Sequence, residues 1–104
     1  MKLRYTPDAL ADLDEIHDYI ANELKNPAAA KRVIVAIARD CDRLRMQPYM
    51  GLEIRKKTGY EINGRCLISS MYMVIYEVKK EISVFRIVDT RLDYIRILTG
   101  MKEN

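Results

Sequence analysis

The stretch that decides the fold is Tyr72–Tyr94, YMVIYEVKKEISVFRIVDTRLDY. Residues 72–78 alternate with period two, as a β-strand does, and residues 82–88 are rich in β-branched and aromatic side chains. The polar residues 79–81 between them form a break that is short enough for a hairpin turn. Because both faces of this predicted hairpin are largely apolar, we expect both faces to be covered.

Strict alternation divides the second strand into two faces. One face carries Phe85 and Ile87, and the other carries Ile82, Val84, Arg86 and Val88. An arginine within an otherwise apolar face indicates a face that is only partly closed, or one closed by another molecule. The face of Ile82, Val84 and Val88 is therefore predicted to bind a partner, with Arg86 available for contact with a target.

Two helices are predicted before the hairpin, and each begins with a capping residue followed by proline, at Thr6-Pro7 and Asn26-Pro27. The second helix must end before Pro48, because a residue that precedes proline avoids the helical region. The predicted apolar stripes are Leu10, Leu13, Ile16, Ile20 and Leu24 in the first helix, and Val33, Ile34, Ile37, Cys41 and Leu44 in the second.

Short strands are predicted at residues 2–5 and 65–69, and residues 51–64 show no clear periodicity. The order is then strand, helix, helix, three strands and a short C-terminal helix. Helices that are segregated from consecutive antiparallel strands indicate an α+β fold. We predict a helical hairpin packed on a small, mainly antiparallel sheet, as a single domain over residues 1–104.

Composition describes a globular domain, with 49% hydrophobic and 32% charged residues in a chain of 104. No apolar run approaches the roughly 20 residues of a membrane helix, and the N-terminus lacks a signal-peptide pattern. Cys41 and Cys66 lie far apart without metal-ligand spacing. We expect a cytoplasmic protein with no metal, no cofactor and no membrane partner, in which Cys41 is a core residue.

The net charge of +3 is unevenly distributed along the chain. Residues 1–24 contain two basic and six acidic residues, a balance of −4, and the remaining 80 residues have a balance of +7. This asymmetry is consistent with a polyanionic partner for the later part of the chain, and equally with an ordinary solvated surface. Arg55, Lys56 and Lys57 could contact a phosphate backbone, or they could lie on a solvated loop.

The end of the hairpin is the best candidate for a site. Thr90 and Asp93 have the spacing of a capping box, so Thr90 could cap a short helix that carries Arg91 and Tyr94. Arginine provides a fixed positive fork for phosphate, and tyrosine can transfer a proton or stack on a base. The alternative is a helix cap in which Arg91 forms an ion pair with Asp93 or another neighbour.

Several of these segments together resemble the RelE/ParE superfamily of bacterial toxins. They are Tyr5-Thr6-Pro7 with Ala9, the two helices, Pro48, residues 65–78 with Tyr72 and Tyr76, and Arg91-Leu92-Asp93-Tyr94. The resemblance spans nearly the whole chain, as a pattern of turns and strand residues. It implies a toxin of a type II toxin–antitoxin module that is held inactive by a cognate antitoxin, which would cover Ile82, Val84 and Val88.

The superfamily divides by mechanism. The resemblance to RelE-like members implies ribosome-dependent cleavage of mRNA, with basic residues and a tyrosine around the scissile phosphate. The strand positions that carry their basic residues meet Gly64, Cys66 and Met73 here. Only Arg91 and Tyr94 match, with Arg65 one position out, and these three are the candidate catalytic residues.

Without the strand lysines, in-line cleavage of RNA would lack much of its charge stabilisation. A ParE-like inhibitor of DNA gyrase is therefore the first expectation, and RelE-like ribosome-dependent cleavage of mRNA is the alternative. An inactive member that only binds its antitoxin is the third possibility. No cofactor is implied by any of the three.

Overall fold

A five-stranded mixed sheet in the order β1-β5-β4-β3-β2 forms the centre of the computed structural model, which describes residues 1–59, 61–91, 96–97 and 100. Its strands are β1 Leu3–Tyr5, β2 Leu52–Glu53, β3 Arg65–Ser69, β4 Tyr72–Val78 and β5 Ile82–Asp89. The strands β2 to β5 pair antiparallel, whereas β1 runs parallel to β5. The helices are α1 Pro7–Asp18, α2 Pro27–Arg43 and α3 Ile54–Thr58, and a π-helical segment, Tyr19–Glu23, extends α1.

The predicted helix starts are confirmed. The Thr6 hydroxyl accepts a hydrogen bond from the Ala9 N–H at 3.2 Å, and the Asn26 side chain accepts one from the Ala29 N–H at 3.1 Å. The Thr6 hydroxyl also donates to the Phe85 carbonyl at 3.0 Å, so the start of α1 is held against β5. The predicted α+β fold, with two helices on a mainly antiparallel sheet, is confirmed.

The two faces of the sheet carry separate apolar clusters. The helix-side cluster packs Ile37, Cys41 and Leu44 against Val74 and Tyr76. Cys41 is fully buried and burial raises its pKa to about 11, which confirms it as a core residue. The cluster on the opposite face contains Ile54, Ile62, Cys66, Met73, Ile75 and Val88, with Ile97 packed against it.

The predicted stripe of α1 is partly wrong. Leu13 and Ile16 contact the core and Ile20 is buried, but Leu10 and Leu24 are 50% and 57% exposed. The buried side of α1 instead passes through Ala9 and Asp12. The helix lies beside β5, where small and polar side chains reach the strand, so its apolar spacing alone gave the wrong rotation.

The prediction that Ile82, Val84 and Val88 share one partner-binding face is also wrong. The register of β4 and β5 shifts between Ile75, which pairs with Arg86, and Tyr76, which pairs with Val84. This β-bulge inserts Phe85 as an extra residue, and every later side chain of β5 changes face. Ile82 and Val84 are therefore fully buried in the helix-side cluster, and only Val88 lies in the opposite one.

Residues 51–64, predicted without regular structure, contain β2 and α3. Gly59 has φ of +80°, a left-handed conformation that suits glycine, and its N–H bonds the Arg55 carbonyl to end α3. Residues 96–97 and 100 are helical, and the rest of the predicted C-terminal helix lies outside the described residues. Within the described ranges, no helix is long and apolar enough to cross a bilayer.

Candidate functional site

The turn after β5 holds Arg91 in a bidentate ion pair with Asp89. Arg91 donates from Nε to the Asp89 carboxylate at 3.0 Å, from its NH2 nitrogen at 2.6 Å, and from its backbone N–H at 2.8 Å. These hydrogen bonds hold the pKa of Asp89 below its usual value. Arg91 remains 62% exposed, so its guanidinium is accessible while its charge is largely balanced.

Thr90, predicted to cap a short helix, is bonded to the turn between β3 and β4. The Thr90 N–H and hydroxyl both donate to the Met71 carbonyl, at 2.8 and 2.9 Å. These bonds join the end of β5 to the turn between β3 and β4, and they fix the position from which Arg91 projects. Asp93 and Tyr94, the other members of the predicted site, lie outside the described residues.

A groove of about 710 Å³ lies beside this turn, between α1 and β5. Tyr19 and Tyr72 line it together with Ile16, Val88 and Arg91. Tyr19 is 53% exposed and begins the π-helical segment, a distortion that is frequent at functional sites. Burial, and then the negative charge of Asp89, raise the pKa of the Tyr72 hydroxyl. The groove thus combines aromatic and aliphatic walls with charged lining residues, which are Asp12, Glu15, Arg86, Asp89 and Arg91.

Arg86, predicted to contact a target, is bound within the protein. Its Nε and NH2 nitrogens donate to the two Asp12 carboxylate oxygens at 2.8 and 3.0 Å. The guanidinium is 29% exposed at the rim of the same groove. Its contribution to a target surface remains a prediction, and any such contact would compete with Asp12.

Arg65 is not near Arg91. It pairs across β3 and β4 with Tyr76, whereas the Asp89 that holds Arg91 pairs with Tyr72. Tyr72 and Tyr76 lie four positions apart on β4, which is about 13 Å along the strand. The structure therefore does not bring Arg65 into the predicted C-terminal site, because the hairpin places them at opposite ends of the sheet.

Arg65 instead fixes the segment before β2. Its NH1 nitrogen donates to the Gly51 carbonyl at 2.8 Å, and its guanidinium carbon lies 4.9 Å from the centre of the Tyr49 ring. Tyr76 holds the same segment, since its hydroxyl accepts from the Gly51 N–H and donates to the Pro48 carbonyl, both at 2.9 Å. Tyr49 is thereby presented at the surface, 63% exposed.

The predicted basic cluster of Arg55, Lys56 and Lys57 lies on α3, and all three residues are exposed. Lys56 contacts Glu53 at 3.7 Å, and Arg55 lines a small groove beside Arg65 and Tyr49. In the described part of the chain, no group of three or more histidine, cysteine or acidic side chains could hold a metal ion.

Sequence reasoning missed Tyr19, Tyr49 and the individual role of Asp12. Asp12 had a usable signal, because an acidic residue on the buried side of a helix needs a partner. Tyr19 and Tyr49 had none, since the π-helical segment and the loop held by Arg65 depend on contacts distant in sequence.

Comparison with known proteins supports this description of the fold. The profile of the family described as "ParE toxin of type II toxin-antitoxin system, parDE" matches residues 3–94. A solved structure described as "Chromosomal ParDE TA system from P. aeruginosa" is 29% identical in sequence, with a TM-score of 0.71. The match covers 86% of this chain and 95% of that chain. Comparison with curated protein sequences gives no significant match.

The fold and these matches define a toxin of the RelE/ParE superfamily. Within that superfamily, the chain belongs to the ParE toxin family of type II toxin–antitoxin systems. Membership implies an antitoxin protein as partner.

Proposed function

We propose that this ParE-family toxin inhibits growth by acting on DNA gyrase, and that its cognate antitoxin covers the groove between α1 and β5. The observation that carries the first part is the ion pair between Arg91 and Asp89. RNA cleavage needs unbalanced positive charge at the scissile phosphate. Among the described residues of this turn, Arg91 is the cation that matches RelE-like enzymes, and it is already paired with the Asp89 carboxylate.

The strand positions of RelE-like cations support the same proposal. They are occupied here by Gly64, Cys66 and Met73, and the last two are 3% and 1% exposed. Neutral and buried side chains cannot stabilise a developing phosphorane charge. A ParE-like mode, in which the toxin binds its target and blocks it, requires no such cations.

The groove supports the proposal for the antitoxin. An aromatic and aliphatic cleft with a polar rim is a typical anchor site for a protein segment. Val88 lines this groove, while Ile82 and Val84 lie beneath the helices of the toxin itself. We therefore place the antitoxin contact on Ile16, Tyr19, Tyr72 and Val88.

The test of the target is induced expression of the toxin alone in a bacterial host. Gyrase inhibition should give DNA breaks and altered supercoiling, with intact mRNA. A host with toxin-resistant gyrase should grow normally, whereas ribosome-dependent mRNA cleavage in that host would overturn the proposal. Absence of any growth effect, with the antitoxin still bound, would identify an inactive member that retains only antitoxin binding.

A further inference from the structure

The end of the sheet opposite Arg91 carries a row of positive side chains. Two grooves, of about 780 and 180 Å³, meet there at Glu77. Together they are lined by six cations and three carboxylates, a balance of +3. We call this surface the basic end, and its cations are Lys2, Arg4, Arg55, Arg65, Lys79 and Lys80.

Each carboxylate of the basic end is bound by a neighbouring cation. Glu81 pairs with Arg4 at 2.9 Å, and Glu77 pairs with Lys79 at 3.0 Å. Glu53 contacts both Arg65, at 3.5 Å, and Lys56, at 3.7 Å. Among the described residues, the other three cations, Lys2, Lys80 and Arg55, form no salt bridge. The carboxylates are therefore balanced, and unpaired positive charge remains on both sides of Glu77.

The row has the length of a nucleic-acid contact. The five strands span four inter-strand intervals of about 4.8 Å, or about 19 Å in all. One strand of DNA has a phosphate about every 3.4 Å along the helix axis, so this width matches roughly five or six phosphates. The phosphate backbone would repel the acidic helix α1, and this repulsion would turn the basic end toward the nucleic acid.

The basic end also presents a flat aromatic ring. Tyr49 is 63% exposed, and the Arg65 guanidinium fixes it from one side. Exposed tyrosine beside arginine is a combination on which unpaired bases stack. Interfaces between proteins have apolar centres and few lysines, whereas interfaces with nucleic acid are strongly positive. The composition of this surface therefore favours nucleic acid over an acidic protein.

We infer that the basic end binds the phosphodiester backbone of nucleic acid, and that Tyr49 adds base stacking where the strand is single. This activity belongs to the toxin itself and goes beyond the proposed action on gyrase. It is tested without gyrase, so its failure would leave the gyrase proposal untouched.

The test measures fluorescence anisotropy of the purified full-length toxin with a labelled DNA duplex and a labelled single strand, over a series of salt concentrations. The double variant Lys80→Glu with Arg55→Glu should bind both at least about ten-fold more weakly, with a shallower salt dependence. The matched control is Lys31→Glu with Arg32→Glu on exposed α2, which changes the net charge equally. It should bind within about two-fold of the unmodified toxin, since exposed charges that lie more than about 10 Å from the bound nucleic acid are largely screened at about 0.1 M salt.

Equal weakening by both double variants would overturn the site, because it would show that only net charge matters. Tighter binding to polyglutamate than to DNA would also overturn it, in favour of an acidic protein partner.

Tyr49→Leu should weaken binding of the single strand about five-fold or more and leave binding of the duplex unchanged. Equal binding of the single strand by this variant would overturn the stacking contact. Circular dichroism of each variant confirms that the fold is retained.

Discussion

The Asp12 carboxylate accepts two hydrogen bonds from the Arg86 guanidinium, at 2.8 and 3.0 Å, and it also accepts one from the Ile87 N–H at 2.8 Å. β1 covers the edge of β5 only as far as Val84, so the remainder of that edge has no neighbouring strand. Asp12 supplies the acceptor that a strand would have supplied, and α1 thereby closes the sheet.

Replacement of Asp12 by alanine should destabilise the protein by about 2–3 kcal/mol, because it leaves a buried N–H and a partly buried guanidinium without acceptors. Chemical denaturation measures the change in unfolding free energy. The exposed Asp14→Ala on the same helix should change it by less than about 0.5 kcal/mol. If Asp12→Ala also cost less than about 0.5 kcal/mol, water would be satisfying the Ile87 N–H and the Arg86 guanidinium in place of Asp12.

Gly51→Ala should destabilise the protein by about 1–3 kcal/mol through overpacking. A Cβ at Gly51 would lie 2.5 Å from the Tyr76 hydroxyl oxygen and 2.7 Å from the Cys66 carbonyl oxygen. Adding Tyr76→Phe should not restore stability, because the contact with Cys66 persists and the Pro48 carbonyl loses its donor. Thermal melts of both variants test this, and full recovery in the double variant would contradict it.

The stability that Arg91 provides through Asp89 should depend on pH in the acid range. Hydrogen bonds from Arg91 lower the pKa of Asp89 in the folded protein below its usual value of 3.8. As the pH falls, Asp89 is therefore protonated in the unfolded chain before it is protonated in the folded protein. The stability that the ion pair provides is complete above the unfolded pKa of Asp89, and it disappears as the pH falls through the lower pKa of the folded protein. Denaturation of the unmodified protein and Arg91→Ala across this range should converge at low pH. Curves separated by the same amount at every pH would contradict the ion pair.

Tyr19→Ala should weaken binding of the antitoxin by about 2 kcal/mol or more if the groove between α1 and β5 is its anchor site. Calorimetric titration of the toxin with its antitoxin measures this. Tyr49→Ala, which removes a similarly exposed ring at the far end of the sheet, is the control and should bind the antitoxin normally. The reverse order of the two effects would place the antitoxin at the basic end.

The corrected rotation of α1 has its own consequence for stability. Ile37→Ala on α2 is the reference for a fully buried side chain and should cost about 2–5 kcal/mol, since Ile37 is 1% exposed in the helix-side cluster. Leu10→Ala should cost less than about 0.5 kcal/mol, because Leu10 is half exposed despite its place in the apolar stripe. Denaturant unfolding measures both losses. A loss for Leu10→Ala as large as that for Ile37→Ala would show that Leu10 is buried, as the periodicity of α1 predicted.

The sequence by itself determined the features that depend on neighbours along the chain. Thr6-Pro7 and Asn26-Pro27 start helices through bonds to residues three positions on, and the bounds of β3 and β4 follow from alternation and turn residues. The family resemblance likewise followed from such local patterns. These signals are local because a cap or a turn is satisfied within one turn of chain.

The tertiary structure alone decided the features that depend on pairing between distant segments. The bulge at Phe85 put Val88 on the opposite face from Ile82 and Val84, because one inserted residue changes the face of every later side chain of a strand. The distance between Arg65 and Arg91 followed from the register of β4, and the acceptor role of Asp12 from the length of β1. Register and edge closure are set by long-range packing, which no window of sequence contains.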